Sequence, residues 1–264
     1  SVYWKALTAD YDVWHAHVYR QPHTLSLLFA KLRGKKTVLS VHWPDYPKSL
    51  RSFFMNLFIP LFDWTIGPLL LRLCDALIVQ TKAEEQWLRQ RFGHLNNIII
   101  LPPGIASDYL KKRNPTLFRK KHHIKGLLVL YIGRLYQSKG VHKLLSIASS
   151  FPNTTFVLAG DGPEKNNLQQ TIKAQWLTNV RLVGRLTEEE KMQAYASCDV
   201  FVHPTDYDAF GITLLEAMAQ EKPVLGSRVG GVPSVLGVDG LKFAKDYLDD
   251  LTKQLKRLLT NKTL

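Results

Sequence analysis

The second half of the chain is punctuated by short, nearly uninterrupted apolar runs at residues 127–132, 155–159, 180–183, 200–203, 224–226 and 241–243. Polar residues do not alternate with apolar ones inside these runs. Strands of that kind bury both faces, which restricts them to a parallel sheet covered by helices on each side. The segments between them carry apolar residues at helical spacing. Leu144, Leu145, Ile147 and Ala148 follow the first run, and Leu168 and Ile172 the second. Met192, Tyr195 and Ala196 follow the third, and Leu214, Leu215 and Met218 the fourth. This rhythm predicts a doubly wound α/β unit. Ligands of such sheets bind beyond the carboxyl ends of the strands, so the residues directly after each run are the candidates for chemistry.

The first half has the same grammar in shorter form. Strands are expected at residues 13–16, 37–41, 76–79 and 98–101, with a helix at 24–32. Thr81 is placed to cap a second helix, residues 82–92, with Glu84 and Glu85 in its first turn and Gly93 ending it. Residues 53–74 are strongly apolar but interrupted by Asn56, Pro60, Asp63, Gly67, Pro68 and Arg72. They are expected to form a helical pair that packs in the domain or lies on a membrane surface, rather than a bilayer span. A Pro-Pro-Gly break at residues 102–104 and a basic stretch at 111–125 put the boundary near 104–126. The expected domains are therefore 1–110 and 111–264.

Composition narrows the class of function. A 45% hydrophobic share over 264 residues excludes a disordered chain, and two cysteines cannot build a disulfide framework or a four-ligand zinc site. Cys74 and Cys198 both lie in apolar context, so reduced, buried thiols in a cytosolic setting are expected. No signal peptide is expected at the first residue, Ser1. The net charge of +13 points to an anionic partner. Residues 1–126 carry +11 of it and residues 127–264 carry +2. No nucleic-acid-binding motif accompanies the charge, and no nucleic-acid partner is expected.

Three strand ends carry the candidate chemistry. Gly133 and Arg134 follow the first run, and Lys139 opens the next helix; two cations beside a helix start suit a diphosphate. Gly160 and Gly162 flank Asp161 after the second run, where glycine lets backbone approach a ligand closely. The fourth run leads into an acidic loop with Asp208 and Phe210, then Gly211, Ile212 and Thr213 at a helix start, and Glu216 inside the helix. Open amides at Gly211, Ile212 and Thr213 would form an anion site, while Asp208 and Glu216 could accept sugar hydroxyls. Phosphate donors beside sugar acceptors imply a nucleotide-sugar. His15 and His42 read as core or wall residues.

The stretches 133–140, 160–163, 180–184 and 208–223 resemble the donor domain of retaining glycosyltransferases of family four. Residues 12–17, with His15 and His17 in a His-x-His strand end, resemble a landmark of that family's first domain, as do residues 41–42 and 102–105. The resemblance implies an α/β fold of two Rossmann-like domains facing across a cleft, the GT-B architecture, with the first domain lacking its initial strands. It implies that Arg134 and Lys139 bind the donor diphosphate and that Glu216 binds the ribose. Leu182 and Val183 would lie beside the base, Phe210, Gly211 and Ile212 beside the phosphates and sugar, and His17 opposite the donor sugar. Asp208 stands where the family usually has Glu.

The implied activity is hexosyl transfer from a nucleoside-diphosphate sugar to an acceptor hydroxyl, with retention and without a metal or other cofactor. The implied acceptor is a glycolipid, lipid-linked or polysaccharide precursor. The charge of the first half and the apolar segment at 53–74 add an anionic membrane surface as a partner, with a cytoplasmic or peripheral membrane location. The alternative is an inactive fragment or regulatory protein that binds a nucleotide-sugar without turnover.

Overall fold

A computed structural model describes residues 2–42, 47–48, 51–237, 240–244 and 246–260. The chain divides into two compact units, Ser1–Pro103 and Gly104–Leu264.

The first unit runs α1 (Val2–Thr8), β1 (Val13–His17), α2 (Ser26–Leu32), β2 (Lys36–Ser40), α3 (Phe53–Trp64), α4 (Ile66–Leu73), β3 (Ala76–Val79), α5 (Lys82–Phe92) and β4 (Ile98–Ile100). Its four strands pair in parallel in the order β1-β2-β3-β4. The expected helix at 24–32 begins as a 3₁₀ turn, Pro22–Leu25, with Pro22 at its first position, where no amide donor is needed. Thr81 caps α5 as expected, accepting from the Glu84 amide at 3.1 Å. The segment at 53–74 is a helical pair bent by 52°. Leu39, Leu77, Val79, Leu70, Leu71 and Leu88 are the most buried apolar residues of the first unit.

The second unit opens with a 3₁₀ turn, Ser107–Leu110, and α6 (Pro115–Lys121). It continues β5 (Leu127–Ile132), α7 (Val141–Ala148), β6 (Thr154–Ala159), α8 (Lys165–Ala174), β7 (Val180–Gly184), α9 (Glu188–Ser197) and β8 (Val200–His203). Then come α10 (Ile212–Ala219), β9 (Val224–Ser227), α11 (Val232–Leu236), β10 (Leu241–Phe243) and α12 (Leu248–Thr260). Six parallel strands pair in the order β10-β9-β8-β5-β6-β7. Along β5, Leu128, Leu130 and Ile132 enter one apolar cluster while Val129 and Tyr131 enter the other. This is the burial on both faces that the uninterrupted apolar runs predict. The chain order reverses between β5 and β8, so the switch crevice lies beyond their carboxyl ends.

Residues 104–110, placed with the first domain from sequence, pack on the second unit. Tyr109 is buried against Tyr195, and its carbonyl accepts from Gln220. The basic stretch that follows is α6, capped by Asn114 through the Thr116 amide. The charge therefore divides differently from the sequence halves. Residues 1–103 hold 12 Lys+Arg against 7 Asp+Glu, a net of +5, and residues 104–264 hold 23 against 15, a net of +8. Cys74 and Cys198 are free and buried, and burial pushes their thiols up to about 11 and about 12.

Candidate functional site

The glycines after β5 and β6 fit the two loops to each other. The Gly133 amide donates to the Ala159 carbonyl at 3.0 Å, and the Leu135 amide to the Asp161 carbonyl at 2.9 Å. Gly160 has φ +143, and a Cβ there would lie 1.8 Å from the Gly133 carbonyl oxygen. Across the switch crevice, Gly140 is left-handed (φ +66), and a Cβ would lie 2.0 Å from the Pro204 carbonyl oxygen. These positions are glycine because backbone meets backbone there. The close contact foreseen for a ligand is used first by the fold itself.

The acidic loop after β8 is locked rather than open. Asp208 Oδ2 accepts from Lys139 Nζ at 2.7 Å and pairs with His203 Nε2 at 3.1 Å. Its Oδ1 accepts from the amides of Phe210 at 3.3 Å and Gly211 at 3.1 Å. Burial alone would raise this carboxyl. His203 and Lys139 reverse that and hold it well below the usual range. A carboxylate offers about four acceptor sites, and here four donors fill them. Two expectations change. The Gly211 amide is not an open anion donor, and Asp208 has no spare lone pair for sugar hydroxyls. Thr213 reaches the other side of the same histidine, with Oγ1 3.4 Å from His203 Nδ1. Phe210 is buried and Ile212 exposed. Lys143 and Asp206 form a second pair in this loop. Among the described residues Lys139 keeps a donor in reserve: its ammonium has three N–H groups, and Asp208 Oδ2 and the Tyr207 carbonyl (3.4 Å) take two.

A cavity of about 500 Å³ opens beside the switch, over the ends of β5, β6 and β7. Gly133, Arg134, Gly160 and Gly162 line it, together with Tyr136 and Asp161. Its far wall is Arg185, Leu186, Glu188 and Lys191. Arg134 is exposed, with its guanidinium 5.3 Å from the Tyr136 ring centroid. Among the described residues it forms no ion pair. Leu182 and Val183, expected beside a base, instead pack partly buried against the two apolar clusters. They lie inside β7, whose side chains alternate into the layers above and below the sheet.

Glu216 is buried in α10 and tied to α9. Tyr195 Oη donates to its Oε2 at 2.6 Å, and Lys191 Nζ to its Oε1 at 3.2 Å. Lys191 also pairs with Glu188 at 3.1 Å and lies 5.1 Å from the Tyr109 ring centroid. Burial would lower this ammonium, but Tyr109, Glu216 and Glu188 outweigh it and hold it above its usual value. Lys191 thus joins the cavity wall to Glu216.

In the first unit, histidines gather where β1 and β2 end. The His15 and His17 ring centroids are 4.3 Å apart, and His17 Nδ1 is 3.2 Å from His42 Nε2. His42 Nδ1 is 3.1 Å from Gln80 Nε2, and His15 Nε2 is 2.9 Å from Ser40 Oγ. Burial and then the neighbouring His17 hold His15 and His42 below the ordinary imidazole value, so both are neutral near pH 7. Val18, Arg20 and His42 adopt φ of +68, +72 and +58. Left-handed backbone at three non-glycine residues is strain of the kind that collects at functional sites.

The family model for group 1 glycosyl transferases matches residues 114–264, more than half of the chain. This chain belongs to the group 1 glycosyl transferase family. The model for glycosyltransferase family 4 matches residues 2–109 of the chain. A sulfoquinovosyl transferase of Arabidopsis thaliana is 32% identical over 247 residues, covering 89% of this chain and 47% of the plant protein. A phosphatidylinositol N-acetylglucosaminyltransferase subunit of Saccharomyces cerevisiae is 28% identical over 216 residues, covering 80% and 46%. The chain spans about half the length of these curated relatives. Among solved structures, Anabaena HepE in complex with UDP and glucose superposes with a TM-score of 0.80 at 21% identity, covering 98% of this chain and 72% of that one. Sucrose-phosphate synthase from Thermosynechococcus elongatus gives 0.78 at 21% identity, covering 98% and 66%. Two parallel-sheet, Rossmann-like α/β units with GT-B structural neighbours are the fold class expected from the sequence.

Sequence reasoning missed His203, Arg185, Leu186 and Lys191. The rule that residues after a strand carry the site marks Arg185 and Leu186, which follow β7 directly and lie three positions beyond Leu182 and Val183. Lys191 carries no local signal, because its role comes from packing α9 against α10.

Proposed function

We propose that the second unit binds a nucleoside-diphosphate sugar and that the sugar passes to an acceptor hydroxyl with retention. The observation that carries this is Arg134, a cation without an acidic partner among the described residues, on the wall of a cavity over the strand ends. Lys139, across the β5 turn, supplies a second cation with one open N–H. In this reading the two stabilise charge that develops on the leaving diphosphate, where loss of one preorganised donor costs on the order of 10²-fold in rate. Ribose hydroxyls donate to Glu216 and displace Lys191 from Oε1. Arg185 and Leu186, not Leu182 and Val183, border the base. Asp208 acts by holding Lys139 and the loop through Gly211, which agrees with a front-face reaction that uses no carboxylate nucleophile. His17 meets the sugar. UDP in the HepE structure supports a nucleoside diphosphate as donor. Phosphatidylinositol in the name of the yeast relative supports a lipid-borne acceptor hydroxyl.

Thermal shift and calorimetry with uridine, guanosine and adenosine diphosphate sugars test the reading. One of the three should stabilise the chain, and Arg134→Ala and Glu216→Ala should each weaken it by about tenfold or more. No stabilisation by any donor, or unchanged affinity in both variants, refutes it. Binding without donor hydrolysis or transfer would leave a nucleotide-sugar-binding protein instead.

A further inference from the structure

Helices α3 and α4 are apolar over most of their surface, with Asn56, Asp63 and Arg72 as their charged or amide side chains, but only one side is covered. Phe62, Leu70 and Leu71 enter the core of the first unit. On the opposite side Phe53 and Phe54 are each 79% exposed, Leu57 67% and Trp64 83%, with Leu61 and Leu69 also open. A helix that is apolar on opposite sides belongs in a core or in lipid, and an exposed patch of this extent marks an interaction surface.

Charge indicates the partner. The sole acidic residue of the pair, Asp63, points inward, is buried, and is neutralised by Arg20 Nη2 at 2.5 Å. The outer face therefore carries no carboxylate. Two arginines flank the pair in sequence, Arg51 just before α3 and the exposed Arg72 near the end of α4. Large aromatic and aliphatic side chains, flanked in sequence by arginines and free of acid, match a bilayer interface with anionic headgroups.

Geometry sets the depth. Twelve residues of α3 extend about 18 Å at 1.5 Å per residue, against a hydrocarbon core of about 30 Å. The 52° bend and the buried Arg20–Asp63 pair keep the two helices from straightening into one span. We propose that the outer face of α3 and α4 is a monotopic docking surface for an anionic lipid bilayer. The surface gives a lipid-borne acceptor a place to meet the enzyme, and in that use it rests on the acceptor reading above.

Co-sedimentation of the full chain with phosphatidylcholine vesicles and with vesicles that also contain phosphatidylglycerol tests the surface. Each basic residue near an anionic surface contributes about fivefold to partitioning, so the anionic vesicles should bind many times more protein. Phe54→Ser with Leu57→Ser, both outside the core, should lower that binding at least about tenfold while leaving donor-induced thermal stabilisation unchanged. Equal binding to both vesicle types, no binding, or full binding by the double variant overturns the proposal. So does a dimer in sedimentation that the same variant dissociates without any vesicle binding. Donor binding is measured separately, so failure here leaves the donor reading standing and the reverse.

Discussion

Each unit ends a parallel strand in a histidine, and the two histidines do opposite work. His203 closes β8, is 4% exposed, and has partners at both ring nitrogens, Asp208 and Thr213. His17 closes β1, is exposed, and has Nδ1 3.2 Å from another imidazole. One histidine has become part of the scaffold that shapes a loop; the other stands at a rim among strained backbone. A strand end can therefore be read as a place for function, but the number of satisfied partners decides whether a residue there acts on a ligand or on the fold.

Removing the centre of the locked network should produce the largest effect. Asp208→Ala leaves Lys139, His203 and two amides without their acceptor, and breaking a buried charge pair in this way costs about 3–5 kcal/mol. Chemical denaturation of the full chain should show that loss together with loss of donor-induced stabilisation. A cost below about 1 kcal/mol would mean the loop is not held by this carboxylate. Tyr195→Phe is the gentler version. It deprives buried Glu216 of one donor, for about 1–3 kcal/mol. Because Lys191 still holds the carboxylate, donor affinity should fall by several-fold rather than vanish. An unchanged affinity would detach Glu216 from the donor site.

Both units carry histidines that should respond to mild acid before the carboxylates do: His15 and His42 in the first, His122 and His142 in the second, all held below the ordinary value first by burial. His15 and His42 have folded-state values below the ordinary 6.5, so the unfolded chain takes up protons first as pH falls. Their stabilisation is complete above about pH 6.5 and is lost as pH drops through the depressed values. Asp208 has a depressed carboxyl, so its contribution is complete above about 3.8 and lost only below it. Thermal unfolding between about pH 7.5 and pH 5.5 should show a falling midpoint, and His42→Gln should flatten that slope. A slope that His42→Gln leaves unchanged would place the titrating group elsewhere.

The parts of this molecule that a sequence displays are those set by local pattern. Strands buried on both faces wrote themselves as apolar runs, and β5 through β10 fall where the runs are. Thr81 showed a helix start because its cap bond spans three residues. Arg134, Gly133, Gly160 and Gly162 were legible because they follow strands whose ends build the cavity. Partnership across the fold was not legible. Nothing near Asp208 in sequence tells that Lys139, 69 positions earlier, fills one of its acceptor sites. Nothing near Glu216 points to Tyr195 and Lys191 on a different helix. The charge asymmetry misled for a related reason: the basic stretch 111–125 belongs to the second unit, where Arg119 donates to the Ser197 carbonyl and pairs with Asp199, 80 positions away.

His17→Ala should have almost no effect on the fold, and that is its value. Its ring is exposed, and removing it leaves His42 with Gln80 still at Nδ1. The stability change should stay within about 0.5 kcal/mol, as for surface substitutions away from special features. Turnover should nevertheless fall on the order of 10²-fold, the cost of losing one preorganised polar contact at a reacting centre. Gln80 tells which way the chain of rings points. With its Nε2 donating to His42 Nδ1, His42 donates through Nε2 to His17 Nδ1, and His17 Nε2 carries its proton outward as a donor. Gln80 Oε1 is then buried without a partner. Turning the amide over pairs that oxygen with a protonated His42 Nδ1 and makes His17 Nε2 an acceptor. Nitrogen NMR of the imidazoles distinguishes the two tautomers directly. A protonated Nε2 on His17 fits a residue that donates to a sugar oxygen. A bare Nε2, with turnover unaffected by His17→Ala, would make the histidines of the first unit as structural as His203.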